Sequence, residues 1–453
     1  MPDLLRQARP HLRRAGPDGF RPVRVVEIEL SEPLPRIEGT HPSGTTRYGR
    51  ALVIVRLHGT PIGQLEVDLP EHGRSPVDMA AVIWARLGAV VQDHMRADGL
   101  AVPERLDPSG LVAGGEPACL AARRRFLSAG APSITVIVPS RERPERLATC
   151  LRSILACDYP PDRLQVLVVD NAPATDATRL AVEESFAGTV GYLREDIPGS
   201  ASARNLGIRH AAGQIVAFTD DDVVVDRSWL VEIARGYDAA PSVDAVTGLL
   251  VPRALETPAQ VWFEEYGGFG RGYRRQIYNL GEFRRDDPLY PYSAGIYGTG
   301  NSMSFRRAAL EEIGGFDPAL GNGTPTLGGV DSEALLRTIL RGKTLVYEPR
   351  ALAYHDHRPD YDGLRRQVYS YGVGLSAYLL KTAIENPRLI PDLAARVPQG
   401  LRFALSPGSG KNSGKRRGYP RELTFAELRG IAYGPFAYIR SRRWYRKAAR
   451  GCP

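Results

Sequence analysis

The sequence predicts an α/β protein built around a mostly parallel, doubly wound sheet, and three observations favour this fold class. Strand-like and helix-like segments alternate from Ile134 to Thr219 at the spacing of consecutive βαβ units. Polar clusters follow two of these strands, at residues 139–143 and 170–171. A third strand-like run ends in three consecutive aspartates, residues 220–222. Because ligands of such sheets bind beyond the carboxyl ends of the strands, the sequence predicts a site along this edge.

A smaller α+β domain is predicted over residues 21–107. Apolar and polar side chains alternate from Val23 to Leu30, as in a half-buried strand. Ala51–Leu57 and Ile62–Leu69 are predicted to be the strands of a hairpin, and Ser75 is predicted to cap an amphipathic helix. No group of residues in this accessory domain indicates a chemical role. Four histidines have no evident partner in the sequence and are expected to be structural: His58, His72, His94 and His210.

Composition divides the rest of the chain. Residues 1–20 are expected to be disordered, and the Gly-, Pro- and Ala-rich residues 108–131 are expected to form a linker. Residues 132–386 are predicted to form the α/β domain. Residues 387–453, which are punctuated by proline and glycine, are predicted to form a basic C-terminal appendage.

The net positive charge of the chain is concentrated in that appendage. From Lys411 onward there are 12 Lys and Arg against 2 Asp and Glu, whereas residues 1–410 carry 47 and 49. Aromatic side chains are interleaved with the basic ones. This composition suits peripheral contact with an anionic membrane, and a solvated, solubilising tail explains it equally well. No nucleic-acid-binding module accompanies the tail, so no binding of nucleic acid is expected.

Neither membrane spanning nor secretion is expected. The longest mostly apolar run, Val373–Ile384, is too short to cross a bilayer and includes Lys381. The first residues lack the apolar run of a secretory signal. Four cysteines are too few for a disulfide framework, and no C-x-x-C pair indicates zinc. The predicted location is the cytoplasm, either free or peripherally at the inner face of the membrane.

The three consecutive aspartates indicate a cation site. Three like charges beside a buried strand repel one another and are costly to desolvate. A divalent metal ion that bridges a diphosphate would compensate their charge, whereas a solvated acidic turn is the alternative.

Seven blocks of sequence within residues 131–380 resemble, in content and order, those of the family 2 glycosyltransferases. The resemblance implies a GT-A fold, a nucleotide-sugar donor, Mn²⁺ or Mg²⁺ as cofactor, and inversion at the anomeric carbon. The blocks are ITVIVPSRERPERL (134–147), LVVDN (167–171), SASARNLG (200–207), FTDDD (218–222), GTGNSMSF (298–305), GGFD (314–317) and GVDSEALL (329–336).

The resemblance also implies which residues form the site. Asp222 would hold the metal, with His355 as a further ligand for which the nearby His357 could substitute. Asp220 would share the ion or reach the ribose. Arg204 would contact the diphosphate or position the acidic cluster. The other residues expected to bind the donor are Pro139, Ser140, Arg141 and Glu142 around the nucleoside, Asp170 at the base, and Asp221.

Asp331 is the expected general base. An inverting transfer is a single displacement, so the acceptor hydroxyl needs one base on the face opposite the leaving group. Members of the family carry an acidic pair at the opening of a helix, where this chain has Val330 and Asp331. The valine in place of the first acid bears on the type of acceptor more than on the activity. Alternatively, Asp331 caps a helix that starts at Ser332.

The expected function is transfer of a sugar, of the hexosyltransferase type, to a sugar, a lipid-linked or a small-molecule acceptor. One alternative is a sugar nucleotidyltransferase, which has a related sheet and an acidic metal site. Such an enzyme should carry glycines in the loop after its first strand, and residues 139–143 have none. The other alternative is a catalytically silent scaffold that keeps the fold and recruits partners through its tail.

Overall fold

The structure, a computed structural model, describes residues 20–41, 44, 47–112, 114–415 and 418–451. Nearly all of the segment expected to be disordered, residues 1–19, lies outside the described residues. Among the helices of the described part, none combines the length and the apolar character needed to cross a membrane.

The N-terminal unit is a three-stranded sheet covered by a helix. Strands β1 (Val23–Glu29) and β2 (Arg50–Leu57) run parallel, and β3 (Thr60–Asp68) returns antiparallel to β2 through the predicted hairpin. The helix α1 (Pro76–Ala97) begins at the predicted N-cap, Ser75, which forms a capping box with Asp78. Apolar residues of the sheet and of α1 form a core between them.

The α/β part is built on one sheet of nine strands that are connected mainly by helices. The strands are β4 (Ile134–Ser140), β5 (Leu164–Asn171), β6 (Val190–Glu195), β7 (Ile215–Phe218), β8 (Val223–Val225), β9 (Val243–Pro252), β10 (Gln276–Tyr278), β11 (Met303–Arg306) and β12 (Thr344–His355). The helices that follow α1 are α2 (Ala118–Ser128), α3 (Pro144–Leu155), α4 (Ala177–Phe186), α5 (Ser200–His210), α6 (Trp229–Gly236), α7 (Pro258–Tyr266), α8 (Arg307–Glu312), α9 (Val330–Leu340), α10 (Tyr361–Glu385), α11 (Ile390–Leu405) and α12 (Arg421–Gly451).

Six of the nine strands point in the same direction. The order across the sheet is β10-β12-β9-β11-β7-β4-β5-β6, and β8 pairs with β12. Parallel pairs join β6, β5, β4 and β7 on one side and β9 and β12 on the other, while β11 lies antiparallel between β7 and β9. Strands β8 and β10 are antiparallel to β12. The carboxyl ends of β4, β5, β7, β9 and β12 therefore meet at one edge.

Helices cover both faces of this sheet. On β4, Ile137 belongs to an apolar core with α5 and α9, whereas Val136 and Val138 belong to a second core with α3, α4 and α6. The alternation follows from the period of two along a strand. A mostly parallel sheet with helices on both faces is what the GT-A resemblance implies, and the predicted fold class is confirmed.

The long C-terminal helix α12 packs directly along α10. A Cβ atom at Gly372 of α10 would collide with the carbonyl oxygen of Glu427, and one at Gly430 of α12 would collide with that of Tyr369. Glycine at these positions lets the two helix backbones touch. Much of the basic C-terminal segment is therefore a helix docked on the α/β part.

Candidate active site

The acidic cluster forms the turn between β7 and β8 at the carboxyl edge of the sheet. Its middle member, Asp221, is buried and accepts hydrogen bonds from the Ser140 hydroxyl (2.9 Å) and from the Arg143 guanidinium (3.1 Å). Asp221 thereby ties the turn to the end of β4. The predicted donor-binding residue Ser140 thus contacts the acidic cluster.

Strand pairing places His355 beside Asp222. β12 runs antiparallel to β8, and in this register His355 pairs with Val223. The side chains of Asp222 and His355 are both buried, and His355 Nε2 lies 3.6 Å from Asp222 Oδ1. This separation is too long for a hydrogen bond. It is the separation that two ligands about 2.1 Å from one ion have when they subtend about 120°.

The pKa values of this pair reflect burial. The pKa of Asp222 is raised to about 7, chiefly because the carboxyl group is buried and also because Asp220 and Asp221 repel its negative charge. Burial lowers the pKa of His355 well below its usual value. A protonated Asp222 cannot bind a cation well, but an ion held between these side chains would stabilise the carboxylate, and the neutral imidazole can offer a lone pair.

A chain of hydrogen bonds orients His355. Its Nδ1 lies 2.8 Å from Nδ1 of His357, and Nε2 of His357 lies 2.8 Å from Oε1 of Glu264. With both imidazoles neutral, Glu264 accepts from His357 Nε2–H, and His357 Nδ1 accepts from His355 Nδ1–H. This leaves the lone pair of His355 on Nε2, toward Asp222, which is the tautomer that a metal ligand needs. Both ring nitrogens of His357 are engaged, so His355 is the histidine available to a metal.

Asp220 pairs with a buried arginine of α5. Arg204 Nη2 lies 3.0 Å from Asp220 Oδ1, and the guanidinium lies over the ring of Phe316. Burial raises the pKa of Asp220, the charge of Arg204 opposes this shift, and the charges of Asp221 and Asp331 reinforce it. The Asp220 side chain nevertheless keeps 31% of its surface exposed. Among the described residues, Arg204 Nε has no hydrogen-bond partner, so the guanidinium retains a donor for a ligand.

Asp331 lies in the first turn of α9 and contacts the neighbouring Gly300. The Gly300 amide donates to Asp331 Oδ2 (2.8 Å), and a Cβ atom at Gly300 would lie 2.9 Å from Asp331 Cβ. The helix begins at Val330, and its N-cap position is held by Gly329 with a φ of 84° and no side-chain cap. Asp331 is therefore oriented by Gly300 and does not cap a helix that starts at Ser332.

Asp170 presents a buried acceptor without a donor. The side chain closes β5, and its Oδ2 accepts from the Tyr192 hydroxyl (3.0 Å). Among the described residues its Oδ1 has no donor at good hydrogen-bond geometry, although the Thr178 hydroxyl is near enough to oppose the rise in the pKa of Asp170. Burial raises the pKa of Asp170, although the hydrogen bond from Tyr192 opposes the shift. Because an unsatisfied buried acceptor is costly, this oxygen is suited to a donor group of a ligand.

The other predicted donor-binding residues lie around the end of β4. Pro139 is half-buried and Arg141 is exposed. Glu142 has a φ of 54°, and its carboxylate accepts from the Ala174 amide (2.8 Å) and from the Thr175 amide and hydroxyl (3.0 and 2.6 Å). The bonds from Thr175 and Ala174 lower the pKa of Glu142. Glu142 thus connects the loop after β4 to the loop after β5. Asp170 lies at the end of β5, next to this second loop.

The fold brings further cations to the cluster that sequence reasoning missed. Arg143 Nη1 and Arg358 Nη2 lie 3.6 Å and 4.0 Å from the same oxygen of Asp222. A cavity of 180 Å³ adjoins the cluster and is lined in part by Arg146 and Arg253. Guanidinium groups of this kind bind phosphate oxygens well. In the sequence, Arg143 stands in the polar cluster after β4 and Arg358 follows His357, but only the fold shows that they converge.

The sequence of the chain matches a known family. Residues 135–314 match the family model "Glycosyl transferase family 2". The pre-mycofactocin glycosyltransferase of Mycobacterium tuberculosis is 30% identical over 247 residues, which make up 53% of this chain and 46% of the relative. The glucosyl-dolichyl phosphate glucuronosyltransferase of Haloferax volcanii is 25% identical over 244 residues, 51% of this chain and 72% of the relative. The chain thus spans about half the length of the first of these relatives.

A solved structure is also similar. The mannosyltransferase PcManGT from Pyrobaculum calidifontis, in complex with GDP-Man and Mn²⁺, covers 73% of this chain and 91% of its own, with a TM-score of 0.43 and 22% identity. The matched family model and both sequence relatives are glycosyltransferases. The match to the family model lies within residues 131–380, whose sequence blocks predicted this family.

Proposed function

We propose that this protein is an inverting, metal-dependent glycosyltransferase that moves a sugar from a nucleoside-diphosphate donor to an acceptor hydroxyl. One observation carries the proposal: Asp222 and His355, joined by strand pairing, face each other at the separation of two ligands of one ion. Asp220 pairs with Arg204 (3.0 Å), and a Cβ atom at Gly300 would lie 2.9 Å from Asp331 Cβ and 3.2 Å from Arg204 Nη2, which supports a common site for the three residues.

The residues present fit a divalent ion. Asp222 and the neutral imidazole of His355 would bind it, and Asp220 would bind it or the ribose. Carboxylate oxygens suit Mn²⁺ and Mg²⁺, and an imidazole favours Mn²⁺ of the two. When bound, such an ion would offset the negative charge that grows on the departing diphosphate.

The protein's own groups would bind the two ends of the donor. At the nucleoside end, Asp170 Oδ1 would accept a hydrogen bond from the base, since no described residue donates to this oxygen at good hydrogen-bond geometry. At the diphosphate end, Arg143, Arg204 and Arg358 are placed to donate to phosphate oxygens, because all three already contact the acidic turn.

Asp331 would act as the base. The Gly300 amide holds its carboxylate through Oδ2, and Oδ1 would take the proton of the acceptor hydroxyl. As that proton leaves, the acceptor oxygen bonds to the anomeric carbon, and the bond from this carbon to the diphosphate breaks on the opposite face. A single displacement of this kind inverts the configuration.

A panel of UDP-, GDP- and dTDP-sugars with Mn²⁺ tests the proposal. The cognate donor should raise the melting temperature only with metal and should be slowly hydrolysed. Asp222→Ala should abolish both effects, whereas Asp331→Asn should keep metal-dependent donor binding and lose transfer. Calorimetry that showed unchanged metal-dependent donor affinity in Asp222→Ala would refute the metal assignment. Failure of every nucleotide sugar to bind or react would favour the silent scaffold, and synthesis of a nucleotide sugar from a nucleoside triphosphate would favour the nucleotidyltransferase.

We also propose that the C-terminal helices contact an anionic membrane surface. On α11, four apolar residues at helical spacing are between 50% and 56% exposed. On α12, Phe425 and Phe436 are 64% and 71% exposed, and the segment is strongly basic. Exposed apolar side chains beside excess positive charge are typical of interfacial helices. The four exposed apolar residues of α11 are Ile390, Val397, Leu401 and Leu405.

Flotation with vesicles tests this membrane contact. The protein should float with phosphatidylglycerol-containing vesicles and not with pure phosphatidylcholine, and high salt should weaken the association. Phe436→Ser combined with Leu401→Ser should reduce it, while Leu280→Ser, also at an exposed position, should not. Equal flotation of the double variant and the wild type would exclude this surface.

A further inference from the structure

A second cluster of metal-ligating side chains lies in the N-terminal unit, outside the candidate active site. It consists of His58, His94, Asp98 and Cys119, whose ligand atoms all lie within 4.8 Å of one another. Nothing in the sequence indicated that His58 and His94 have partners, because the four residues of the cluster are spread from position 58 to position 119 and follow no metal-binding spacing. The fold brings them together.

Three chain segments supply the four side chains. His58 is in the turn between β2 and β3, where His58 and Gly59 have φ values of 52° and 72°, as a type I′ turn requires. His94 and Asp98 are four residues apart at the end of α1 and so lie on one face of it. Cys119 is the second residue of α2.

The four ligand atoms surround one point. His94 Nε2 lies 3.3 Å from His58 Nδ1 and 3.1 Å from Asp98 Oδ2. Cys119 Sγ lies 3.0 Å from the same oxygen and 3.9 Å from His94 Nε2, and His58 Nδ1 lies 2.7 Å from that oxygen. Ligands about 2.0–2.3 Å from a tetrahedral zinc ion are about 3.3–3.8 Å apart. Changes of up to about 0.6 Å in these separations would therefore bring them into the range of a tetrahedral zinc site.

Hydrogen bonds alone satisfy this cluster poorly. Three potential donors, on His58, His94 and Cys119, converge on Asp98 Oδ2, an oxygen with two lone pairs. The two imidazole nitrogens are 3.3 Å apart, so they cannot both carry a proton toward this oxygen without repulsion. The other oxygen, Asp98 Oδ1, accepts a hydrogen bond from the Cys119 amide (2.9 Å). This bond orients the carboxylate, as hydrogen bonds to the ligands of a metal ion commonly do. A single cation would replace the competing protons.

We propose that His58, His94, Asp98 and Cys119 bind one Zn²⁺ ion with a structural role. Two imidazoles, a carboxylate and a thiolate suit Zn²⁺ and not Mg²⁺ or Ca²⁺, which prefer oxygen ligands. One carboxylate and one thiolate balance the charge of the ion, as a buried site needs. The side chains of His58, His94 and Asp98 are 2%, 11% and 4% exposed, and four protein ligands complete a tetrahedral site.

The site would connect α2 and the hairpin to the end of α1, and through them to the α/β part. Arg123 of α2 pairs with the fully buried Glu232 of α6 (3.0 Å). Arg56, close to the hairpin turn, pairs with Asp226, which directly follows β8 (2.6 Å). The zinc ion would therefore stabilise the side of the N-terminal unit that packs behind the acidic turn.

Metal analysis of the full-length protein, purified without an affinity tag, tests the site. The protein should contain one equivalent of zinc that excess Mg²⁺ does not displace. Cobalt substitution should give the thiolate-to-cobalt absorption in the near-ultraviolet and the intense visible bands of a tetrahedral site. Wild-type protein that is folded and metal-free, and that gives no thiolate–cobalt band when Co²⁺ is added, would overturn the proposal.

Variants separate this site from the acidic edge. Cys119→Ser should lose the cobalt band and bind zinc more than about 100-fold more weakly, since even changes behind a ligand cost about 10–100-fold. The matched control Cys157→Ser, at another half-buried free cysteine, should keep both. Asp222→Ala should also keep its zinc. If Cys119→Ser does not fold, His94→Gln serves in its place, and an unchanged zinc content in a folded variant would count against the site.

Discussion

Replacing Asp222 by asparagine should abolish metal-dependent transfer and yet stabilise the metal-free protein above neutral pH. The carboxyl group is buried, and its pKa rises from 3.8 in the unfolded chain to about 7 in the fold. The folded state therefore holds this proton more tightly than the unfolded state does. The free energy of unfolding falls as the pH rises from about 4 to about 7, because the unfolded chain releases this proton while the fold retains it. Above about pH 7 the fold carries a buried charge that Arg143 and Arg358 compensate only in part. Asparagine keeps the shape of the side chain without the charge.

The size of this effect follows from the shift. One pKa unit corresponds to about 1.36 kcal/mol, so a shift of about three units amounts to about 4 kcal/mol at pH 8 as an upper value. At pH 4 the wild-type carboxyl group is largely protonated in the fold, and the difference should vanish. Thermal melts of the wild type and Asp222→Asn with a chelator at pH 5 and pH 8 measure it. The variant should melt higher at pH 8 by a larger margin than at pH 5.

Asp226→Asn provides a control of opposite sign. Asp226 lies four residues further along, and its pKa is lowered because the hydrogen bond and charge of Arg56 outweigh burial. Its stabilising contribution is present above the unfolded pKa and lost as the pH falls, so Asp226→Asn should destabilise the protein at pH 8. Mn²⁺ should raise the melting temperature of the wild type and of Asp226→Asn but not of Asp222→Asn. If Asp222→Asn destabilised the chelated protein at pH 8 as Asp226→Asn does, the assignment of an incompletely compensated buried charge to Asp222 would be wrong.

Three further substitutions probe the groups around this pair. Asp331→Asn should lower kcat by about 10²–10⁴-fold, the usual contribution of a general base, while calorimetry shows unchanged donor affinity with metal. Glu264→Gln should weaken Mn²⁺ binding by about 10–100-fold, because it disturbs the hydrogen bonds that fix His355. Saturating Mn²⁺ should restore the activity of this variant. Loss of activity at every Mn²⁺ concentration would contradict this positioning role. Gly300→Ala should lower kcat, because the new Cβ atom would lie 2.9 Å from Asp331 Cβ and 3.2 Å from Arg204 Nη2. The control Gly295→Ala should leave kcat unchanged, because no atom of the described residues lies within 4 Å of its Cβ position. Equal kcat values for the two variants would show that Asp331 tolerates displacement.

Much of the fold was predictable because its signals are local. The alternation of strands and helices and the N-cap signal at Ser75 predicted those elements, and the order of the sequence blocks predicted the family whose model residues 135–314 match. The acidic turn could be placed at the sheet edge because it directly follows the buried strand β7. These features depend on neighbouring residues, which a single sequence displays.

Features that depend on pairing between distant segments could not be predicted. The choice between His355 and His357 is set by the register of β12 against β8 and by Glu264, about 90 residues earlier in the chain. The cluster around Asp98 draws on three segments with no common spacing. The packing of α12 on α10 depends on glycines of two separate helices. In the sequence each of these glycines lowers the helix propensity of its segment and so argues against a helix there.

The N-terminal unit has a physical role at the acidic edge that its sequence does not show. Asp222 precedes β8 and His355 ends β12, so the geometry of the pair depends on how these two strand ends are held. The unit contacts both: Arg56 pairs with Asp226 at the end of β8, and the Tyr354 hydroxyl donates to Glu27 of β1. Arg56 also donates to Glu27 (3.3 Å), so a single group of charges spans the two strands. The N-terminal unit therefore contacts both strand ends that carry the proposed metal ligands, and a loosened hairpin should weaken Mn²⁺ binding before it unfolds the sheet.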